Sequence, residues 1–404
     1  MPIELDMVQT LAMGGLSLFL GYLLCRKVPA LERHNIPPPV VGGLLVALVV
    51  WAAHARGMEL FAFDTRMQAP LMIAFFTAIG FNASVALLRV SGRQVVVFLA
   101  LATVFAVVQN LVGMAVASSF GLNPLFGVLA GSTTLTGGPA TGLAFAPLFE
   151  ARGVAGAETV AVAAAMAGIV CGGLLGGPVA TILIRRHRLK SEVGAASDKP
   201  LPDLTVLSPE PDVQDQNARE FAALKALVLI LLAMWAGSWV SRGFESLGLV
   251  LPAYVGAMMV GAAVRNLDDR TGWLRVPLLS VEVIGNICLT LFLAVALMNL
   301  KLWELAGLAL PLLVNLAVQM LLVALFCLWL VYRVMGRDYD AAVMGGGFIG
   351  FMLGTTANAM AVMRTLVERY GLAPRAFLVA PLVGAFFIDF TNALVITGFL
   401  NWLG

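Results

Sequence analysis

Ten apolar runs, each of about 18 residues or close to it, dominate the chain: roughly 7–25, 38–55, 69–88, 94–118, 159–184, 221–240, 249–264, 277–299, 304–332 and 376–403. Runs of that length have few structural alternatives. In lipid a spanning segment must pair its own backbone amides and carbonyls, and the continuous helix is the form that does so within one segment. With 60% apolar and 12% charged residues, the 404-residue sequence lies outside the balance of a water-soluble domain. The expected fold is an all-α polytopic membrane protein of ten transmembrane helices.

Charge then sets an orientation. The opening "MPIELDM" carries Glu4 and Asp6 where a cleaved signal peptide carries basic residues, so the first run is read as a retained helix. With the N-terminus outside, the outer loops hold Arg56, Arg66, Arg152, Arg242 and Lys301, five of the 25 lysines and arginines, and the inner loops hold the other 20. The positive-inside rule selects that arrangement, with both termini extracytoplasmic. Because topology accounts for the basic residues, a net charge of +2 implies no nucleic-acid partner. Cys25, Cys171, Cys288 and Cys327 lie in or at the ends of helices with no paired spacing, so neither a disulfide nor a transition-metal site is expected.

Residues 191–219 are rich in Pro, Asp and Ser and read as a flexible cytoplasmic linker between an N-terminal five-helix repeat, 1–190, and a C-terminal one, 220–404. An odd number of helices before the linker turns the second half over. The halves also echo each other. "FFTAIGFNASVALL" with Asn82 parallels "LFLAVALMNLKLWEL" with Asn299, and Gln109 and Asn110 are answered by Asn315 and Gln319. "GVLAGSTTLTGGPATG" is matched by "GGGFIGFMLGTTANAM", each followed by a break and a final helix. Inverted-topology repeats are the economical explanation.

The two glycine-rich stretches cannot cross the membrane without upsetting the charge count, so each must dip in and return, over about 125–147 and 341–362. Close helix packing explains small residues such as Gly42 and Gly43, but Pro139 and the Gly137–Gly138 pair oppose a continuous helix. Irregular backbone at membrane depth persists where it is buried in protein or lines a wet cavity. Two hairpins entering from opposite faces would bring Ser132, Thr133, Thr136, Gly137, Gly138 and Thr141 toward Gly350, Gly354, Thr355, Thr356 and Asn358, which are the candidate substrate ligands.

A single carboxylate, Asp389, lies deep in an apolar helix, with Thr391 and Asn392 beside it. A charge at a helix centre costs at least about 2.5 kcal/mol, so it normally faces a cavity or partner. Hard oxygen donors with no lysine or arginine at similar depth suit sodium, and Asn82 and Asn299 join this candidate set. A substrate ammonium or a transported proton would fit Asp389 as well. Arg364, just after the second hairpin, is the nearest cation for an anionic substrate, or a cytoplasmic anchor. There is no HExxH, no helical His pair and no Ser–His arrangement in the spans, so no enzyme is indicated. A passive channel and a sodium/proton antiporter remain as alternatives.

"IPPPVVGGLLVAL", "PLMIAFFTAIGFNAS", "LAGSTTLTGG", "LTLFLAVALMNLKLWELAGLALP", "GRDYDAAVM" and "FLVAPLVGAFFIDFTNALVI" resemble the bacterial sodium/glutamate symporter family along nearly the whole chain. The resemblance implies sodium-coupled uptake of L-glutamate across a bacterial inner membrane, with sodium as coupling ion and no other cofactor, inverted five-helix domains, a re-entrant loop in each, and a homodimer. It carries function onto Ser132, Thr133, Thr136, Gly137, Gly138, Gly350, Gly354, Thr356, Asp389 and Asn392. The chain departs from the family pattern at Pro139, Phe348 and Ala357, which leaves room for another small dicarboxylate or amino acid as substrate.

Overall fold

The computed structural model describes residues 2–34, 36–86, 92–191, 216–248, 251–305 and 307–403. Residues 192–215 of the expected linker lie outside the described residues, as does Arg89. The structure is helical apart from a short parallel pair, β1 (Ile3–Leu5) with β2 (Phe61–Phe63), which the apolar pattern gave no reason to expect.

Local chemistry starts the helices where the apolar runs begin. Asp6 caps α1 (Met7–Lys27): its carboxylate accepts from the Gln9 amide at 2.8 Å, and the Gln9 side chain accepts from the Asp6 amide at 3.0 Å. Pro38 opens α2 (Pro38–His54), a position whose N–H has no intrahelical partner in any case. Next come α3 (Gln68–Asn82), α4 (Arg93–Ser119), α5 (Pro124–Val128), α6 (Gly138–Glu150) and α7 (Ala157–Arg186). Beyond the linker are α8 (Gln216–Ser246), α9 (Ala253–Thr271), α10 (Leu278–Met298), α11 (Ala309–Phe326), α12 (Tyr339–Met352), α13 (Thr356–Tyr370), α14 (Pro374–Leu382) and α15 (Ile388–Leu403).

Among the described residues, six helices are long and apolar enough to cross a membrane: Met7–Lys27, Arg93–Ser119, Ala157–Arg186, Asn217–Ser246, Leu278–Met298 and Ala309–Val334. The protein is therefore a multi-pass membrane protein. The other four expected runs fall short for identifiable reasons. The helices α2 and α3 have 17 and 15 residues. The end of α9 carries Arg265, Asp268, Asp269 and Arg270, and a π-helical turn at Val383–Phe387 divides the last run into α14 and α15. The apolar run expected to 88 stops as a helix at Asn82, because Asn266 of α9 terminates it from the side: its Nδ2 donates to the Ala83 carbonyl at 2.9 Å and its Oδ1 accepts from the Val85 amide at 2.8 Å.

The helices sort into two bundles that cut across the sequence order. In one, α1, α2 and α3 pack with α8, α9 and α10; in the other, α4 to α7 pack with α11 to α15. Each bundle thus draws on both sides of the linker. The seam between them is apolar, with Val40 and Ala47 of α2 and Phe292 and Leu297 of α10 against Leu143 of α6 and Val162 of α7.

Within the first bundle α1 and α2 cross at backbone contact. A Cβ on Gly42 would stand 1.8 Å from the Ser17 carbonyl oxygen, whereas one on Gly15 would meet nothing within 4 Å. Gly42→Ala is expected to cost about 1–3 kcal/mol through overpacking and to lower Tm in detergent, with Gly15→Ala as a neutral control; equal Tm values for the two would remove the close crossing.

The α9–α10 connection is held by Asp268. Burial alone would raise its carboxyl, but the amides of Val276, Arg275 and Leu274, donating at 2.8, 2.9 and 2.8 Å, together with Arg265, hold it below the usual carboxylate range. A group whose folded pKa is lowered contributes stability above its unfolded value, near 3.9, and loses it as pH falls through the folded value. Asp268→Ala should therefore lower Tm at pH 7, with the gap to the parent narrowing below about pH 4; a gap independent of pH would show that the contribution is not ionic.

Candidate functional site

Two hairpins build the centre of the second bundle. Asn123 caps α5, its side chain accepting from the Leu125 amide at 3.0 Å, and α5 continues into a π-helical turn, Leu129–Thr133. The helix breaks at Gly131, where φ is −102° and ψ −127°. After a turn α6 starts at Gly138, whose φ of +67° is cheap for glycine and strained for other residues. In the second hairpin Asp338 caps α12 through the Ala341 amide at 2.8 Å, and the chain reverses at 353–355 into α13. Thr355 caps α13, accepting from the Asn358 amide at 3.4 Å.

The tips meet: a Cβ on Gly138 would lie 3.9 Å from the Gly354 carbonyl oxygen. At that point the N-termini of α6 and α13 come together, each bringing the positive end of its dipole.

Carboxamides join the two halves around this point. Gln109 of α4 donates to the Met352 carbonyl at 3.1 Å, and its oxygen accepts from the Thr136 hydroxyl at 2.7 Å. In the other direction Asn315 and Gln319 of α11 donate to the carbonyls of Ala130 and Gln109 at 2.7 and 2.8 Å. Asn358 of α13 and Asn392 of α15 donate to the carbonyls of Ile169 and Ser132 at 2.7 and 2.9 Å. All five side-chain amides cross from one half of the sequence to the other. Asn110 also serves the first break, its Oδ1 accepting from the Ser132 amide at 2.9 Å.

Most predicted ligands gather here. Ser132 and Thr133 are fully buried, Thr136 and Thr141 nearly so, and the Thr356 hydroxyl donates to the Gly384 carbonyl at 2.5 Å. Gly137 packs against Thr141, and Gly350 lets α12 approach the backbone of α13 at Ala359. Asp389, half-buried in the first turn of α15, makes no hydrogen bond or ion pair with the described residues. Thr391 accepts a bond of 3.1 Å from Thr103 of α4, a residue the sequence pattern did not single out.

Asn82 and Asn299 do not join them. Asn82 ends α3 beside the Asn266 cap, and Asn299 is exposed after α10, lining a cavity of about 430 Å³ with Glu150, Glu158, Thr159, Lys301 and Glu304. The three departures also separate. Phe348 is fully buried among Phe98, Phe105, Phe326 and Phe351 at centroid separations of 5.3 to 5.8 Å, and Pro139 is buried in the first turn of α6. Ala357, in the first turn of α13, is exposed.

Comparison with known proteins bears directly on this arrangement. The pattern defining the family described as sodium/glutamate symporter matches residues 3–372. A sodium/glutamate symporter of Escherichia coli (strain K12) is 43% identical over 399 residues, covering 98% of each chain. One of Haemophilus influenzae is 38% identical over 390 residues, covering 96% of this chain and 95% of the relative.

Removing one inter-half amide tests its structural weight. Gln109→Leu strands the buried Met352 carbonyl and Thr136 hydroxyl, at an expected cost of about 1–3 kcal/mol for each group left unpaired. Thermal unfolding in detergent should show a lower Tm; an unchanged Tm would mean that these bonds do not hold the halves together.

Proposed function

We propose that the chain, which belongs to the sodium/glutamate symporter family, couples inward sodium movement to uptake of L-glutamate by alternating access. The observation that carries this reading is the meeting of two helix N-termini at the hairpin tips; Asp389, on the same helix as the Asn392 that bonds the Ser132 carbonyl of the first hairpin, has no hydrogen-bond or ion-pair partner among the described residues. Glutamate brings two carboxylates and an ammonium. Its carboxylates suit the free amides at the starts of α6 and α13, and sodium at Asp389, with Thr391 and Asn392 close by, supplies the positive charge that no deep lysine or arginine provides.

Ten crossings in two inverted five-helix repeats, 1–190 and 220–404, accommodate the helices, with 125–147 and 341–362 re-entrant. Contacts at the helix ends support that count. The β1–β2 pair, the stacking of His54 on Trp303 at 4.0 Å and the Thr159 bond to the Lys301 carbonyl lie at helix ends assigned to the outer face. Ser84 with Asp269, His187 with Tyr332 and Ser191 with the Leu372 carbonyl lie at ends assigned to the cytoplasm. Both termini are then extracytoplasmic, in a bacterial inner membrane, and the family resemblance supports a homodimer.

The bundles suggest what moves. The apolar core of their seam lets the hairpin bundle shift as a body, with the Thr159 bond to the Lys301 carbonyl at its outer rim giving way. Along α13 the residues Arg364, Thr365, Glu368 and Arg369 are exposed, a polar strip unsuited to lipid, whereas α6 is buried over most of its length. The hairpin junction is therefore reached along α13, from the cytoplasmic side. Each net positive charge carried inward gains about 2.3 kcal/mol per 100 mV, and a tenfold sodium gradient adds about 1.4 kcal/mol per ion.

Purified parent protein and Asp389→Asn, reconstituted in liposomes, should differ sharply: sodium-driven accumulation of labelled L-glutamate in the parent, and at least a hundredfold slower accumulation (about 2.7 kcal/mol) in a variant that elutes as folded protein. Normal uptake by the variant would remove Asp389 from the coupling.

A further inference from the structure

The carboxamides that join the halves are half used. A backbone carbonyl only accepts, so each amide that bonds one must face it with its NH₂ group and direct its oxygen elsewhere. Among the described residues the oxygens of Asn315, Gln319, Asn358 and Asn392 have no partner, and neither have the hydroxyls of Ser132 and Thr133. Asn315 and Asn392 are 1% and 0% exposed, and Ser132 and Thr133 are 0% exposed. Unpaired acceptors this deep are costly, and several around one helix break form a pattern that a bound ion would explain.

Four of them surround the break at Gly131. Asn315 is tied to the carbonyl before it and Asn392 to the carbonyl after it, while Ser132 and Thr133 follow it directly. An amide oxygen lies about 2 Å from its own nitrogen, so two bonds of ordinary length hold both oxygens beside residues 130–132. We propose that Ser132 Oγ, Thr133 Oγ1, Asn315 Oδ1 and Asn392 Oδ1 form a second sodium site, separate from Asp389 and without any formal charge of its own.

The ligand chemistry sets the ion and its dependence on substrate. Neutral oxygens suit a hard monovalent cation, whereas a divalent ion in a buried site calls for carboxylates. A sodium ion here remains uncompensated until an anion arrives. Asn110 Nδ2, the one unpartnered amide donor beside the break, offers a hydrogen bond to that anion's carboxylate. Sodium and glutamate therefore raise each other's affinity at this position, whereas Asp389 provides its own countercharge and fills without substrate. The inference rests on the symport reading above and adds to it a stoichiometry of about two sodium ions per glutamate, which moves about one net positive charge inward.

The double change Ser132→Ala with Thr133→Val removes two ligands and no observed hydrogen bond, since neither hydroxyl makes one. Influx of ²²Na⁺ and labelled L-glutamate is measured together in liposomes under a valinomycin-clamped potential. The expected result is a ratio of about two in the parent and about one in the variant, with the Hill coefficient for sodium falling in step. A parent ratio of one, or an unchanged ratio with only a raised KM for glutamate in the variant, overturns the second site and leaves symport standing. Should the variant bind but not transport, calorimetric titration of glutamate at several sodium concentrations decides: a log–log slope about one lower than the parent's supports the site, and the parent's slope overturns it. A parent that accumulates no glutamate under any sodium gradient overturns the symport reading, and the site with it.

Discussion

Backbone that leaves the helix at membrane depth must find partners inside the protein, because lipid offers none. The rest of this structure depends on how that requirement is met. The hairpin breaks at Gly131 and at 353–355 are bracketed by side-chain amides, each reaching from one half of the sequence to a carbonyl of the other. Ala130, Ser132 and Met352 lie beside the breaks, where the regular ladder ends; Gln109 and Ile169 lie within long helices and take an additional bond. The junction of the hairpin tips is thus shared between the halves, and neither half makes these bonds alone.

Bundling follows from the same constraint. The hairpins and the helices that satisfy them must stay together, which gathers α4 to α7 and α11 to α15 into one body. The remaining helices have no such polar obligations at their centre. They meet the hairpin bundle across a seam whose core is apolar.

Much of this was legible in the sequence because its signals were strong and local. Helix parity and the charge count led to the expectation that two segments dip and return; the structure has a helix break at Gly131 and chain reversals at Gly138 and at 353–355 in those segments. The repeat echo was harder to use. Asn82 and Asn299 match in sequence, yet Asn82 ends α3 beside the Asn266 cap whereas Asn299 lines the cavity with Glu158 and Lys301. Gln109 and Gln319, which the same echo singled out, do meet: the Gln319 amide donates to the Gln109 carbonyl. The echo therefore had the right pairs but no depth to rank them by. The end of α3 was missed for a similar reason, because the cap that stops it comes from Asn266, 183 residues away. Thr103 gave no signal at all, as a lone threonine in an apolar helix usually bonds its own backbone, which it also does, donating to Leu99 at 3.0 Å.

The claim on which everything else rests is that the two hairpins enter from opposite faces and meet. In a background with Cys25, Cys171, Cys288 and Cys327 replaced, Arg152→Cys marks the outer end of the first hairpin's returning arm and Arg369→Cys the end of the second's. A membrane-impermeant maleimide applied to right-side-out and inside-out vesicles reports the side on which each thiol is exposed. The account predicts labelling of Arg152→Cys from the outside alone and of Arg369→Cys from the inside alone. Labelling of both from the same side would contradict it.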